Sequence, residues 1–322
     1  MPKCRTKVDL RRFEPKRTFR NSNGAQTEYI FFDRGKERTT VFVPGWALRL
    51  SCWKYQMRDE RSGLSLFPDH NLLFLNNRGH GNVPLNGSNP STYLTDCAQD
   101  ISELMKFLEL GRVQLVAHSM GALLVATLYA LESDKIGTIT LVCPTPGNPL
   151  VSFPLALKLG KAYDIITDVV KEEWVVQATK LFLGQRIFPH LFPPIVKYYY
   201  REFVRITGSA VSFDTFRKYL ESVIVADPTT FMVAFRAMVQ TGNQIGEKLR
   251  LIRCPTLAVV GENDFLVSSG YAGAELKRMI PGVQIEIFDR TTHFPMAERS
   301  VRFNRTLGRF IESHESYSKP IK

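Results

Sequence analysis

The stretch from Val113 to Leu131 constrains the fold more than any other part of the chain. A short apolar run without charges begins at Val113 and is typical of a buried strand, and an apolar helical pattern begins at Ala122. The segment between them reads Ala-His-Ser-Met-Gly over residues 117–121, which leaves almost no room for a turn. The sequence therefore predicts that Ser119 has a strained backbone, with small residues at both ends of the segment relieving the crowding. Its hydroxyl would be raised above the strand ends, beside a helix N-terminus that favours negative charge.

Strand and helix patterns alternate on both sides of this stretch. Strands are predicted over residues 29–32, 39–43, 71–75, 113–118, 137–142, 256–261 and 284–288, and helices over residues 51–57, 92–110, 122–131 and 297–311. We expect the Asp33-Arg34-Gly35 turn to join the first two strands and Gly111 to end the second helix. The alternation indicates βαβ units, and therefore an α/β fold with a mostly parallel central sheet and helices on both faces.

The alternation is interrupted in the middle of the chain. From Pro144 to about Gly246 only helical patterns and turns occur, including one helix after Pro193-Pro194 and one opened by Asp227-Pro228. We therefore predict an inserted helical segment rather than a linker. The predicted organisation is a basic N-terminal extension over 1–24, an α/β core over 25–147 and 247–315, and a helical insertion over 148–246.

Charge and composition limit the cellular location and the classes of partner that we expect for this chain. The net charge is +11, and eight Lys or Arg residues lie between Lys3 and Arg20. We favour a solubilising tail or a charged edge strand there; the alternatives are peripheral contact with an anionic membrane and an organelle-targeting peptide. Membrane-length apolar windows, a secretory h-region, paired cysteines and nucleic-acid motifs are absent from the sequence. We therefore expect a soluble, cytoplasmic protein without a nucleic-acid partner.

Ser119 needs a base and an acid before it can act as a nucleophile. The best placed base is His293, in a loop after the last strand that reads Thr-Thr-His-Phe-Pro-Met. The best placed acid is Asp264, just beyond the strand over 256–261, with Glu262 as the alternative. Carboxyl ends of parallel strands converge on one crevice, so the order Ser, Asp, His along the chain predicts a catalytic triad.

These three segments resemble those of the α/β-hydrolase superfamily. The likeness extends from about Tyr29 to Ile311 and rests on Ala-His-Ser-Met-Gly, Gly-Glu-Asn-Asp and His-Phe-Pro-Met-Ala-Glu in that order. It implies that the insertion is a helical cap and that the backbone N–H groups of Trp46 and Met120 form the oxyanion hole. It also implies that no metal or organic cofactor is required. The chain departs from the family pattern in having Ala117 for the first glycine of the elbow and Pro44-Gly45 for the usual His-Gly.

Four other reactive side chains have a structural interpretation. The resemblance makes His80 part of a loop-shaping turn and Asp100 a helix residue that ties loops together. His118 adjoins the nucleophile but faces the opposite way on its strand, so we place it in the core or behind the site. Cys143 lies at a strand end without a paired histidine and is predicted to be buried.

The predicted substrate pocket is aromatic. We assign Trp46, Phe231 and Phe235 to its walls, and the insertion supplies further aromatic residues, namely Phe153, Trp174, Phe182, Phe188 and Phe192. The alternative is that a helical insertion needs these residues for its own core.

The favoured function is hydrolysis of a small-molecule carboxylic ester with a hydrophobic portion, through an acyl-enzyme. The alternatives on the same triad are a lactonase, a C–C bond hydrolase of ring-cleavage products and an acyltransferase. A non-catalytic ligand-binding member of the fold is a further alternative.

Overall fold

The computed structural model describes residues 17–57, 67–152, 193–208, 211–214, 216–217 and 227–318. Eight strands are seen in this part of the chain: β1 Arg17–Arg20, β2 Gln26–Phe32, β3 Arg38–Val43, β4 His70–Leu75, β5 Val113–His118, β6 Ile136–Val142, β7 Thr256–Gly261 and β8 Gln284–Phe288. The α-helices are α1 Lys54–Met57, α2 Tyr93–Phe107, α3 Gly121–Glu132, α4 Pro149–Ser152, α5 Pro193–Thr207, α6 Pro228–Gly246, α7 Ser269–Met279, α8 Pro295–Glu298 and α9 Ser300–Ser313. Short 3-10 turns cover Leu50–Trp53, Ser133–Lys135, Glu247–Leu251 and Glu315–Ser318.

The eight strands form one sheet in the order β1-β2-β4-β3-β5-β6-β7-β8. β1 and β2 are antiparallel to their neighbours, and every pairing from β4 to β8 is parallel. The predicted mostly parallel α/β sheet is therefore confirmed. Because the carboxyl ends of the parallel strands share one edge, the loops after β3, β5, β6, β7 and β8 all open there.

Successive side chains of the buried strands enter two different cores. The core on one face packs against α2, α3, α6 and α7, and the core on the other face packs against α1 and α9. In β5, for example, Leu115 and Ala117 belong to the first core and Val116 to the second. This alternation is what a period-two strand covered on both faces requires, and it confirms helices on both sides of the sheet.

Three local predictions need correction. β2 and β3 are consecutive but do not form a hairpin, because β4 lies between them and pairs with both. Helix α2 ends at Phe107 rather than at Gly111, because Glu109 adopts a left-handed φ of 51°. Its N–H and that of Leu110 donate to the carbonyls of Lys106 and Met105, which forms a Schellman motif without glycine. The predicted last helix is two helices, α8 and α9, separated at Arg299.

The strand β1 lies inside the predicted N-terminal extension. It pairs with β2 at the edge of the sheet, and its side chains are largely exposed. The charged edge strand that we favoured is thus what residues 17–20 form. The preceding residues, 1–16, lie outside the described part of the chain.

Two helices of the predicted insertion are described. α5 begins at Pro193, and α6 begins after Asp227, whose side chain accepts a hydrogen bond from the Thr230 N–H at 2.8 Å. α6 does not stand apart from the core: Ala234, Ala237 and Met238 belong to the same cluster as α2 and α3. Residues 153–192 lie outside the described residues, and with them Phe153, Trp174, Phe182, Phe188 and Phe192. Across the described part of the chain, no helix has the length and apolar character needed to cross a membrane.

Candidate active site

Ser119 lies in the sharp turn between β5 and α3. Its φ of 52° is in the left-handed region, so the predicted backbone strain is confirmed. The turn is held by hydrogen bonds from the Ser119 N–H to the Val142 carbonyl at 2.9 Å and from the Thr145 N–H to the Ser119 carbonyl at 3.2 Å. A Cβ at Gly121 would approach the Val43 carbonyl to 3.1 Å, so a larger residue there would strain the turn. Ser119 remains partly exposed, and its hydroxyl lines a cavity.

The loop after β3 approaches this turn closely. A Cβ at Gly45 would lie 2.7 Å from His118 Nδ1 and 3.0 Å from Ser119 Cβ, so only glycine fits. The next two residues are Trp46 and Ala47, and Ala47 is a buried non-glycine residue with a φ of 58°. Within the part of the chain that is described, neither the Trp46 nor the Met120 backbone N–H has a hydrogen-bond acceptor. Both donors are therefore available at the predicted oxyanion hole.

His293 and Asp264 form a buried pair at the same sheet edge. His293 Nδ1 donates to Asp264 Oδ2 at 2.7 Å, and both side chains are almost fully buried. The other carboxylate oxygen, Oδ1, accepts the N–H groups of Leu266 and Val267 at 2.8 and 2.9 Å. Because the proton of the neutral ring is on Nδ1 and is donated in a hydrogen bond to Asp264, Nε2 is left as the basic nitrogen.

The loop that carries His293 is braced by two side chains. His118 Nε2 donates to the His293 carbonyl at 2.8 Å, and the two imidazole rings lie 4.7 Å apart at their centroids. Glu298 accepts hydrogen bonds from the Thr292 hydroxyl at 2.5 Å and the Thr292 N–H at 3.1 Å. Burial lowers the pKa of His118 well below its ordinary value, with a smaller effect from His293 in the same direction. His118 is therefore a neutral donor. It is buried as predicted, but it also borders the cavity.

Two rival assignments are not supported by where the side chains lie. Glu262 is exposed, and its carboxylate accepts the Arg290 N–H at 2.9 Å instead of approaching His293. Cys143 is buried, and burial, followed by the nearby charge of Asp264, raises the pKa of its thiol well above the ordinary value. A thiol of this kind is a poor nucleophile.

Cys143, Asp264 and His293 also form a cluster of potential metal ligands, with one donor atom of each within 4.8 Å of the others. A metal ion bonded to His293 and Asp264 at about 2 Å from each would hold the two donor atoms farther apart than 2.7 Å. The pair is instead satisfied by its own hydrogen bond. Asp264 and His293 therefore suit the roles of orienting acid and base better than the role of metal ligands.

Thr145 is a site residue that the sequence reasoning missed. Its buried hydroxyl lies 3.4 Å from Ser119 Oγ, and in the described structure this is the hydrogen bond that the Ser119 hydroxyl makes. The signal was available, because Thr145 follows the end of β6 by three residues and therefore lies at the sheet edge where Asp264 and His293 were sought. Glu298, which ends the His-Phe-Pro-Met-Ala-Glu segment, is a second residue whose role the sequence pattern did not predict.

His80 and Asp100 lie in buried structural networks. Asp100 accepts two hydrogen bonds from the Arg78 guanidinium, at 2.7 and 2.8 Å, and a third from Asn21. His80 Nδ1 lies 3.1 Å from the Arg78 carbonyl and must donate to it. Asp100 therefore ties the loop after β4 to α2, and His80 closes a turn within that loop.

A cavity of about 370 Å³ opens above Ser119 and His293. Its walls are almost wholly apolar, and the described residues that form them include six aromatic side chains: Trp46, Phe203, Phe216, Phe231, Phe265 and Phe294. Two of the three predicted wall residues, Trp46 and Phe231, are among them. Phe235 lies behind the wall, with its ring stacked on Trp46 at 4.9 Å. No lysine or arginine is among the described residues that line the cavity.

Comparison with known proteins agrees with this architecture. Residues 40–306 match the model of the alpha/beta hydrolase family. The non-heme chloroperoxidase CPO-A1 of Kitasatospora aureofaciens is 23% identical over 305 residues, which cover 88% of this chain and 96% of that protein.

An esterase and an enol-lactonase of known structure share this fold. An esterase from Exiguobacterium antarcticum superposes with a TM-score of 0.68 at 17% identity, covering 92% of this chain and 98% of the esterase. The enol-lactonase from Burkholderia xenovorans LB400 superposes with a TM-score of 0.63 at 19% identity, covering 90% of this chain and 98% of the lactonase. At these identities the likeness concerns the fold.

Proposed function

Since this chain belongs to the alpha/beta hydrolase family, we propose that it is a serine esterase acting on carboxylic esters with a hydrophobic acyl or aryl portion. The observation that carries the proposal is the buried His293–Asp264 pair beside Ser119 at the base of an aromatic cavity. A nucleophile, a base and an orienting acid are the three groups that acyl transfer requires.

In the proposed mechanism, Ser119 Oγ attacks the ester carbonyl while His293 Nε2 takes its proton. Asp264 stabilises the imidazolium through the hydrogen bond at Nδ1. The backbone N–H groups of Trp46 and Met120 bind the oxyanion, at about 3 kcal/mol of transition-state stabilisation for each donor. The imidazolium then protonates the leaving alcohol, and a water molecule activated by His293 hydrolyses the acyl-enzyme and regenerates Ser119.

The described lining of the cavity favours neutral esters over the charged substrates of a C–C bond hydrolase. The products of ring cleavage that C–C bond hydrolases accept carry carboxylates, and a buried carboxylate needs a cationic partner. The described lining offers none, because it consists of apolar and aromatic residues apart from Ser119, His118, Thr292 and His293. A lactone is a cyclic neutral ester and belongs to the same substrate class.

The decisive experiment combines a substrate panel with an active-site label. p-Nitrophenyl esters of increasing acyl length should be hydrolysed, and a fluorophosphonate should abolish the activity as one adduct forms on Ser119. Ser119→Ala should lose both the activity and the adduct while keeping the unfolding midpoint. Ser133→Ala, which changes an exposed serine after α3, should behave as wild type.

Other outcomes would identify other functions. Activity that survives Ser119→Ala would overturn the triad. Accumulation of a transferred acyl product in the presence of an added alcohol would identify an acyltransferase. Binding of apolar esters without turnover would identify a ligand-binding protein of this fold.

A further inference from the structure

The indole of Trp46 connects the loop after β3 to helix α6. Trp46 Nε1 donates to the Phe231 carbonyl at 2.8 Å, in the first turn of α6. The ring also packs against the rings of Phe231 and Phe235, with centroid distances of 4.2 and 4.9 Å. The side chain thus makes one directed contact and two apolar contacts with the same helix.

Helix α6 is a rigid partner for this contact. Ala234 and Ala237 are fully buried, and Met238 lies with them in the core that contains α2 and α3. The first turn of α6 is closed by the Asp227 side chain. A helix fixed along its length in a packed core holds the position of its first carbonyls well.

The loop after β3, which carries Trp46, needs contacts with other parts of the fold to keep its conformation. Ala47 adopts a left-handed φ of 58°, which a non-glycine residue keeps only where its surroundings enforce it. At one end of the loop, Asn77 Nδ2 donates to the Pro44 carbonyl at 3.0 Å. At the other end, the Leu50 N–H donates to Asn76 Oδ1 at 2.6 Å. Between these two anchors, the described side-chain hydrogen bond is that of Trp46 to α6.

We propose that Trp46 is a positioning residue whose indole N–H fixes the direction of its own backbone N–H toward the oxyanion. This inference rests on the proposed esterase function. It separates two roles of one residue: the ring is a wall of the acyl cavity, and the indole hydrogen bond orients the oxyanion hole. Substrate binding depends on the ring, whereas transition-state stabilisation depends on the hydrogen bond.

Trp46→Phe tests the two roles, because it keeps an aromatic wall and the backbone N–H but removes the indole donor. With the preferred p-nitrophenyl ester, kcat should fall about tenfold while KM stays within about twofold. The affinity for a trifluoromethyl ketone, whose adduct with Ser119 carries an oxyanion, should fall by the same factor. Trp46→Ala should lower kcat and also raise KM, because the wall is lost as well.

Trp53→Phe is the matched control. Trp53 is fully buried in the opposite core, and its Nε1 has no hydrogen-bond partner in the described structure. The same chemical change should therefore leave kcat within about twofold, and unfolding curves should show that both variants are folded under the assay conditions.

The outcomes separate the two hypotheses. An active wild-type enzyme with an inactive Ser119→Ala variant, combined with unchanged kcat and inhibitor affinity in Trp46→Phe, would overturn the positioning role alone. A rise in KM with unchanged kcat would do the same and would leave Trp46 as a wall residue. A wild-type chain that neither hydrolyses esters nor reacts with fluorophosphonate would overturn the esterase function and the positioning role together.

Discussion

His118 Nε2 donates a 2.8 Å hydrogen bond to the backbone carbonyl of His293. The residue before the proposed nucleophile thus holds the loop that carries the proposed base, across 175 positions of sequence. Because β5 is buried in the middle of the sheet, His118 is held in place and in turn fixes the position of this loop. Because His118 directly precedes Ser119, its contact with the His293 carbonyl helps to fix the position of Ser119 relative to His293.

We predict that His118→Phe lowers kcat about tenfold with little change in KM. The variant loses the donor, so the loop bearing His293 relaxes and the base is misplaced for proton transfer. His118→Gln keeps an N–H donor at a similar distance from the backbone and should recover most of kcat. The measurement is steady-state kinetics on both variants, with unfolding curves as the check on folding. Equal losses in the two variants would count against the hydrogen bond.

The buried Arg78–Asp100 pair should matter for stability rather than for chemistry. Asp100→Asn removes the buried carboxylate that pairs with the Arg78 guanidinium and leaves only the more exposed Asp96, at 3.5 Å, so the free energy of unfolding should fall by about 3 kcal/mol. The kcat of the folded fraction should stay within about twofold. Urea unfolding and an ester assay on the same preparation measure the two quantities.

The matched control is Glu275→Gln, which removes one of the two carboxylates that Arg278 contacts near the surface. It should leave the unfolding midpoint unchanged, because exposed ion pairs contribute little. A large loss of kcat in Asp100→Asn without a loss of stability would instead assign Asp100 to the reaction.

The stability of the fold should fall as the pH drops from about 6.5 to 4. Burial lowers the pKa of His80 to about 4. Its Nδ1 donates to the Arg78 carbonyl, and Nε2 has no partner in the described part of the chain. In the unfolded chain His80 binds a proton at its ordinary pKa near 6.5, whereas in the folded chain it binds one only near pH 4. The contribution of neutral His80 to the free energy of unfolding is therefore complete above pH 6.5 and is lost as the pH falls from 6.5 to 4.

His80→Gln removes this titration and should flatten the pH dependence of the urea midpoint over that range. His70, which burial also holds near a pKa of 4, and His118 should leave a residual slope in the variant. An unchanged slope would show that His80 is not buried in the neutral form.

The sequence predicted the sheet and most of the candidate site because both follow from local patterns. Asp264 and His293 both follow the ends of parallel strands, and the buried pair lies at the sheet edge where that pattern predicts it. Strand order was harder, because pairing between β2 and β4 depends on long-range packing that no local pattern encodes. The helix end at Glu109 was missed for a related reason. A left-handed glutamate has no compositional signal, and the turn is held by its backbone hydrogen bonds to α2 and by the burial of Leu110.

Thr145 is the residue whose place in the candidate site is seen in the structure but was not predicted from the sequence. Its hydroxyl lies 3.4 Å from Ser119 Oγ, and its N–H donates to the Ser119 carbonyl. If the threonine hydroxyl donates, the Ser119 proton is free to point toward His293 Nε2. Thr145→Val has nearly the same shape and loses only this donor, so kcat/KM and the rate of fluorophosphonate labelling should both fall about threefold, in line with one long neutral hydrogen bond.

Thr145→Ser keeps the hydroxyl and should retain the wild-type rates, which separates the hydrogen bond from the packing of the methyl group. Both rates are needed, because labelling reports the nucleophilicity of Ser119 without the deacylation step. If the valine variant labels faster than wild type, Thr145 accepts the Ser119 proton in the resting enzyme and holds the nucleophile back. Identical labelling in all three proteins would mean that the contact has no influence on the serine.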